Sequence, residues 1–266
     1  MTIIFYDIPS RLGRTWSPNL WKARCVTYEC NPMYVYMTGH FRYCLNFKGI
    51  EYRTEWVEYP DIENHCKSLG IPPTSTKEDG RPHYTFPAIH DTSTGAYVAD
   101  SFTIAEYLDK TYPDKPLLFP HSTAALQAPF ETALRAHVRV LWAFIIYPTY
   151  EKLNPPSNEY YRSIWERIFK TKLENVVAKG EQKAQQWESL KENMSKVEFW
   201  YANNGGKGPF ILGEVPSWAD IVVAAHMMTL NFALGEDSPE WRELETWNNG
   251  RWKTLRENLR QYETIV

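Results

Sequence analysis

The chain has 266 residues, of which 43% are hydrophobic and 23% charged, enough apolar content for two modest domains or one large one and unlike a disordered or fibrous chain. A net charge of −3 excludes an electrostatic basis for holding nucleic acid or an anionic membrane. Aromatic residues are frequent, with 11 Trp and 17 Tyr, and serve either a packed core or a pocket for flat aromatic ligands.

MTIIFYDIPSRLGR opens with a short apolar run followed by Arg11 and Arg14, which is not the pattern of a secretory leader. No stretch reaches the apolar length that spans a bilayer. The expected location is therefore cytoplasmic, without membrane partner. Cys25, Cys30, Cys44 and Cys66 show neither CxxC nor zinc spacing, so reduced thiols and no metal are expected.

TIIFYD is a first strand, and EYRTEWVEY, rich in aromatic and β-branched residues, a second. PDIENHCKSLG predicts a short helix stopped by Gly70, and IPPTSTKEDGRPHY a polar loop. YTFPAIHD and GAYVAD, joined through Thr92-Ser93-Thr94, predict a β-hairpin. SFTIAEYLDKTYP follows as an amphipathic helix with Phe102, Ile104, Ala105 and Leu108 on one side. DKPLLFPHS has the prolines of a linker. Beyond it the pattern is helical: Ala124 to Tyr147 halting near Pro148, Asn158 to Asn203, an almost wholly apolar Ser217 to Leu234, and Glu240 to Tyr262. This order predicts an α/β domain followed by an all-α one, with boundaries at 1–114 and 121–266.

Three short pieces carry chemical information. In YTFPAIHD, Pro87 cannot donate to a ladder, so it belongs at an edge, a bulge or a cis turn that presents the backbone of Phe86. In VADSFTIAEYL, Asp100 and Ser101 stand where a strand passes into a helix. Ser101 is the expected N-cap, and the pair also suits a ligand carrying both an ammonium and a carboxylate. In FILGEVPSWADI, Ser217 and Asp220 have capping-box spacing and a structural role.

Together with WSPNLWKAR, FKGIEYRTEWVEYPDIE and ADSFTIAEYLDKTYPDKPLLFP, these pieces resemble the cytosolic glutathione transferases, most closely the fungal FuA class and its relatives, the bacterial β-aryl etherases. The resemblance spans nearly the whole chain. It implies the glutathione transferase fold: an α/β thioredoxin-like N-terminal domain that binds glutathione as co-substrate, plus an all-α C-terminal domain forming the second-substrate site. By the same resemblance, Phe86 and Pro87 would bind the cysteinyl part of glutathione, and Asp100 and Ser101 its γ-glutamyl amine and carboxylate. Ser17 would be the catalytic hydroxyl that steadies the glutathione sulfur as thiolate, supplemented by Asn19. Tyr6 is a rival donor, disfavoured because it lies inside the first strand. No cysteine follows that strand, which argues against thiol-exchange chemistry. His137, Trp142 and Tyr147 are candidates for the second-substrate pocket, although an aromatic stripe of this spacing also suits a core. The implied reaction is thiolate attack on hydrophobic or aromatic electrophiles, aryl ethers among them. The alternative is a ligandin-like, largely non-catalytic binder of wood-derived phenolics. A homodimer is implied in either case.

One stretch departs from this pattern. Joining Arg24 to Tyr43 yields SPNLWKARYCLNFKGI, a continuous helical pattern with Trp21, Cys44 and Phe47 facing inward and Gly49 as its stop. The intervening residues 25–42 include Asn31-Pro32 and Gly39, which do not suit a helix interior. Arg24-Cys25-Val26 can be encoded with a donor-like AG|GTGCGT junction, Phe41-Arg42 with an acceptor-like TTCAG|G, and Met37-Thr38 contains TGAC. The extra segment is thus either a translated in-frame intron or a genuine insertion at a helix kink.

Overall fold

The computed structural model describes residues 3–13, 15–16, 22–23, 38–177 and 179–263. Among the described residues the strands are β1 (Ile3–Asp7), β2 (Lys22–Ala23), β3 (Thr38–His40), β4 (Tyr52–Trp56), β5 (Ser75–Thr76), β6 (Pro82–His83), β7 (Ala88–Asp91) and β8 (Ala96–Ala99), and the N-terminal part is built on a four-stranded mixed sheet of order β4-β1-β7-β8. Strand β1 (Ile3–Asp7) lies parallel to β4 (Tyr52–Trp56) and antiparallel to β7 (Ala88–Asp91), which forms a hairpin with β8 (Ala96–Ala99). Helix α1 (Phe41–Lys48) precedes β4, and α2 (Ile62–Leu69) ends on Gly70, whose left-handed φ of 70° places its N–H on the last carbonyls. Helix α3 (Ser101–Thr111) buries Phe102, Ile104, Ala105 and Leu108, the positions its sequence spacing selects. This is the thioredoxin-like arrangement expected from the sequence.

Helix α3 is fixed against the hairpin by one carboxylate. Asp91 accepts hydrogen bonds from the Tyr107 and Tyr112 hydroxyls at 2.8 and 2.6 Å, and from the backbone and hydroxyl of Ser93. Burial works to raise its pKa, but these donors outweigh burial and hold it below the usual carboxylate range.

The C-terminal part is all helix: α4 (Ala124–Val138), α5 (Trp142–Tyr150), α6 (Pro155–Phe169), α7 (Gly180–Ala202), α8 (Trp218–Leu234), α9 (Pro239–Leu244) and α10 (Trp247–Leu259). Every residue of α8 from Trp218 to Ala233 is buried. Its first turn is closed by the anticipated capping box: Asp220 accepts from the backbone and hydroxyl of Ser217 at 2.9 Å each, and also from Ile211 N–H. No helix among the described residues is long and apolar enough to cross a membrane.

Several boundaries differ from the sequence pattern. The stretch from Ala124 to Tyr147 is two helices separated by a 3-10 turn at Arg139–Leu141, and Pro148 lies inside α5 rather than ending it. Leu134, Val138, Leu141, Trp142 and Ile145 stay buried across the break, so the apolar period conceals it. Asn158 to Asn203 likewise divides into α6 and α7 around Lys170, which takes a left-handed φ of 52°. The polar loop 71–84 contains a two-stranded hairpin, Ser75–Thr76 with Pro82–His83. The helical run expected from Pro18 through Arg24 is also corrected. Lys22–Ala23 are extended and pair with Thr38–His40, and helix begins at Phe41. Cys44 and Phe47 face inward, as the pattern requires, and Gly49 follows the helix. Trp21, Cys25 and Cys30 lie outside the described residues.

An ion pair within the N-terminal part holds the linker that leads to the helical part. Lys48 is 1% exposed and donates to Asp109 at 2.8 Å and to the Pro116 carbonyl. Asp109 also accepts the backbone N–H groups of Leu118 and Phe119, and the Leu118 carbonyl accepts from Trp218 N–H. Removing one partner of a buried pair strands the other charge. Lys48→Met is therefore expected to lower stability by about 3–5 kcal/mol in urea unfolding, with both spectroscopic probes of the two parts shifting together.

Candidate functional site

Strand pairing brings four of the sequence-selected residues side by side. Ala88 is registered opposite Ala99, so Phe86-Pro87 at one strand's start adjoins Asp100-Ser101 at the other's end. The Phe86–Pro87 peptide is cis, and Asp100 N–H donates to the Pro87 carbonyl at 3.3 Å. Phe86, Asp100 and Ser101 are all buried. Tyr6 stacks on Phe86 at 6.0 Å between ring centres, and His65 approaches both rings edge-on. Burial, with Glu55 nearby, pushes the Tyr6 hydroxyl up to about 12. A phenol so tuned keeps its proton at neutral pH.

The helix cap is not the one the sequence suggested. Asp100, not Ser101, caps α3: its Oδ1 accepts from Thr103 N–H and Thr103 Oγ1, both at 3.0 Å. The reason is backbone geometry. Asp100 has a φ of 75°, a conformation that Asp and Asn tolerate better than Ser, and Ser101 becomes the first helical residue. The carboxylate and the positive end of the helix dipole therefore lie together beside the Pro87 turn, a combination suited to a zwitterionic group.

Ser17 and Asn19 lie outside the described residues. The residues just before them are placed. Thr15 is fully buried and Trp16 is 6% exposed. The Trp16 ring meets Tyr59 at 5.6 Å and Tyr161 of α6 at 5.3 Å, both edge-on. From Tyr161 a run of rings continues through Trp165, at 5.8 Å, to Trp142, at 5.3 Å. Thus Trp142 connects to the N-terminal part through this seam. His137 does not join it and packs against Trp200 of α7 at 5.3 Å. Tyr147 neighbours Tyr150. The three pocket candidates therefore do not share one cluster. Trp16, Tyr59 and Tyr161 were missed, although a Trp directly before the candidate Ser was a readable signal.

The seam is fastened by polar ties around it. Glu58 accepts from Asn154 and Ser157, the Ser157 hydroxyl accepts Tyr59 N–H, and Arg11 N–H donates to the Lys152 carbonyl. Lys152 Nζ donates to the Phe232 and Ala233 carbonyls at the end of α8. Among the described residues no group of His, Cys, Asp and Glu could hold a metal ion. Cys44 and Cys66 are buried, and burial pushes the Cys66 thiol up to about 12, so neither supplies a thiolate.

Comparison with known proteins places these features in context. The family described as "Glutathione S-transferase, N-terminal domain" matches residues 41–111, and "Glutathione S-transferase, C-terminal domain" matches 125–262. A glutathione S-transferase of Ceriporiopsis subvermispora, solved in complex with glutathione, is 40% identical over 99% of this chain and 98% of its own, with a TM-score of 0.88. Glutathione transferase GSTFuA3 from Phanerochaete chrysosporium is 36% identical over 100% of this chain and 99% of its own, with a TM-score of 0.87. The glutathione S-transferase-like protein ustS of Aspergillus flavus is 31% identical, covering 94% of this chain and 87% of its own.

If Asp100 both caps the helix and holds a ligand ammonium, two substitutions separate the roles. Asp100→Asn keeps a capping oxygen and tolerates the backbone, so stability should hold while glutathione affinity falls. Asp100→Ala should also cost about 1–2 kcal/mol of stability. Calorimetric titration alongside chemical denaturation reads both effects.

Proposed function

Because this chain belongs to the glutathione S-transferase family, we propose that it activates glutathione as a thiolate for attack on hydrophobic, aromatic electrophiles, aryl ethers among them. The observation that carries this reading is the apposition of the Phe86–Pro87 turn with Asp100-Ser101, joined by the Asp100 N–H to Pro87 carbonyl bond. Phe86 would pair its backbone with the cysteinyl unit, while Asp100 and Ser101 would take the γ-glutamyl amine and carboxylate. A similar protein at 40% identity has been solved with glutathione, which supports glutathione as co-substrate. The proposed protein is a cytoplasmic homodimer, with domains at 1–114 and 121–266 and no bound metal.

A free thiol titrates at about 8.5, so only a few per cent is thiolate at neutral pH. Ser17 would donate a hydrogen bond to sulfur and favour the anion, with Asn19 in support. Each unit by which the thiol is lowered corresponds to about 1.4 kcal/mol. Ser17 is thus a donor to the nucleophile rather than the nucleophile. The second substrate would lie against the helical domain, where Trp142, Tyr147 and His137 are candidate wall residues.

The aromatic seam from Trp16 to Trp142 favours a second reading as well, a ligandin-like protein that holds wood-derived phenolics with little turnover. We further propose that residues 25–42 are a translated intron that impairs the enzyme. Their stem, Lys22–Ala23 paired with Thr38–His40, replaces the helical turn that the flanking sequence calls for. A helix confined to 18–24 would be too short to hold without packing.

Two measurements test this. Ser17→Ala should move the glutathione thiol toward its solution pKa, seen as a shifted pH–rate profile, while glutathione affinity holds. An unchanged profile overturns Ser17 as donor. The chain lacking residues 25–42 should melt at higher temperature and turn over aryl electrophiles faster than the full chain. Equal melting and turnover overturn the impairment, and glutathione binding by both chains without turnover favours the carrier.

A further inference from the structure

The turn that carries Phe86 is braced from both sides. Residues 84–87 lie outside the ladders, since β6 ends at His83 and β7 begins at Ala88. On the far side the Asp100 N–H holds the Pro87 carbonyl. On the near side the brace is Thr74. Its N–H donates to the His83 carbonyl at 2.9 Å, its hydroxyl donates to the same oxygen at 3.2 Å, and that hydroxyl lies 2.8 Å from the Thr85 hydroxyl. A hydroxyl has one hydrogen, so Thr85 is the donor to Thr74. The residue directly before Phe86 is thereby fastened through its side chain. Thr74 is itself held in place by the hairpin it opens. Ser75 pairs with His83 and meets its Nδ1 at 3.1 Å, and Lys77 ties the hairpin to Glu63 of α2 at 2.7 Å. Tyr6 and His65 contact the Phe86 ring, whereas Thr74 acts on the chain that leads into it.

We infer that Thr74 is a positioning residue for glutathione, its hydroxyl setting, through Thr85, the backbone of Phe86 at the angle that pairs with the cysteinyl unit. This inference rests on the reading that the Phe86–Pro87 turn is the cysteinyl cradle. A peptide laid along Phe86 pairs as a neighbouring strand does, giving its N–H to the Phe86 carbonyl and accepting from the Phe86 N–H. Such bonds weaken steeply as their angles close, so the backbone that makes them has to be held. Inside a strand the ladder holds it. At residues 84–87 the two threonine hydroxyls take over that task. Thr74 acts through Thr85 and Phe86 and makes no bond to the reacting atoms.

The test uses the full chain and two ligands, glutathione and its depsipeptide, in which an ester oxygen replaces the cysteinyl N–H. Each is titrated by calorimetry into the parent, Thr74→Val and Thr74→Ser proteins. Valine keeps the shape of threonine and removes the hydroxyl, while serine keeps the hydroxyl. The parent should bind glutathione about tenfold more tightly than the ester, the worth of one neutral hydrogen bond. Thr74→Val should reduce that preference to about twofold, weakening glutathione about fivefold and leaving the ester unchanged. Thr74→Ser should keep the preference of the parent. Should Thr74→Val fail to fold, Thr85→Val removes the partner hydroxyl and carries the same expectation.

Equal weakening of both ligands by Thr74→Val means that the hydroxyl serves the fold alone, and overturns the inference. A preference unchanged in Thr74→Val, or lost equally in Thr74→Ser, overturns it too. A parent that binds glutathione without preferring it to the ester overturns the role of Thr74 while leaving glutathione as co-substrate. A parent that binds neither ligand removes the glutathione reading itself, and the inference with it.

Discussion

The molecule depends on a sealed lysine ammonium that fastens the linker to the N-terminal part. Lys48 ends α1, Asp109 lies in α3, and the carboxylate that receives the ammonium also receives the backbone of Leu118 and Phe119. Desolvating both ions consumes most of their attraction. The contribution of the pair lies in where it holds the chain. The linker is drawn onto α3, and the Leu118 carbonyl then meets Trp218 at the start of the buried α8. Phe102, Phe119 and Trp218 close over this junction with ring centres 5.0 to 5.9 Å apart. Since Asp100 caps α3, the clamp at its far end and the candidate cradle at its near end share one helix.

A second junction lies around the turn after β4. There the contacts are aromatic rather than ionic, with Trp16 between Tyr59 and Tyr161, and the polar ties of Glu58 and Lys152 flank it. The two junctions divide the labour. One draws the linker onto α3, and the other brings Tyr161 of the helical part against Trp16.

Residues 25–42 lie between Arg24 and Tyr43 in the sequence. Their described end, Thr38–His40, pairs with Lys22–Ala23 and runs straight into α1, so α1 starts from a strand instead of from a preceding helical turn. Lys48 still reaches Asp109, because the packing of Tyr43, Cys44 and Leu45, all fully buried, fixes the second half of the helix.

The architecture was largely legible in the amino-acid order, because it rests on local rules. Proline in a strand, an acid at a strand-to-helix passage, a capping box before an apolar run and a glycine after a helix each have a short-range physical meaning. Tertiary structure decided what those rules do not contain. It gave the cap to Asp100 by holding its φ positive, divided two continuous helical patterns without disturbing their buried faces, and turned Lys22–Ala23 into a strand. It also separated His137 from Trp142 and joined Trp142 to Trp16, more than a hundred residues away. Periodicity reports which side of an element is buried, but only packing determines which distant element it meets, and the site is made at those meetings.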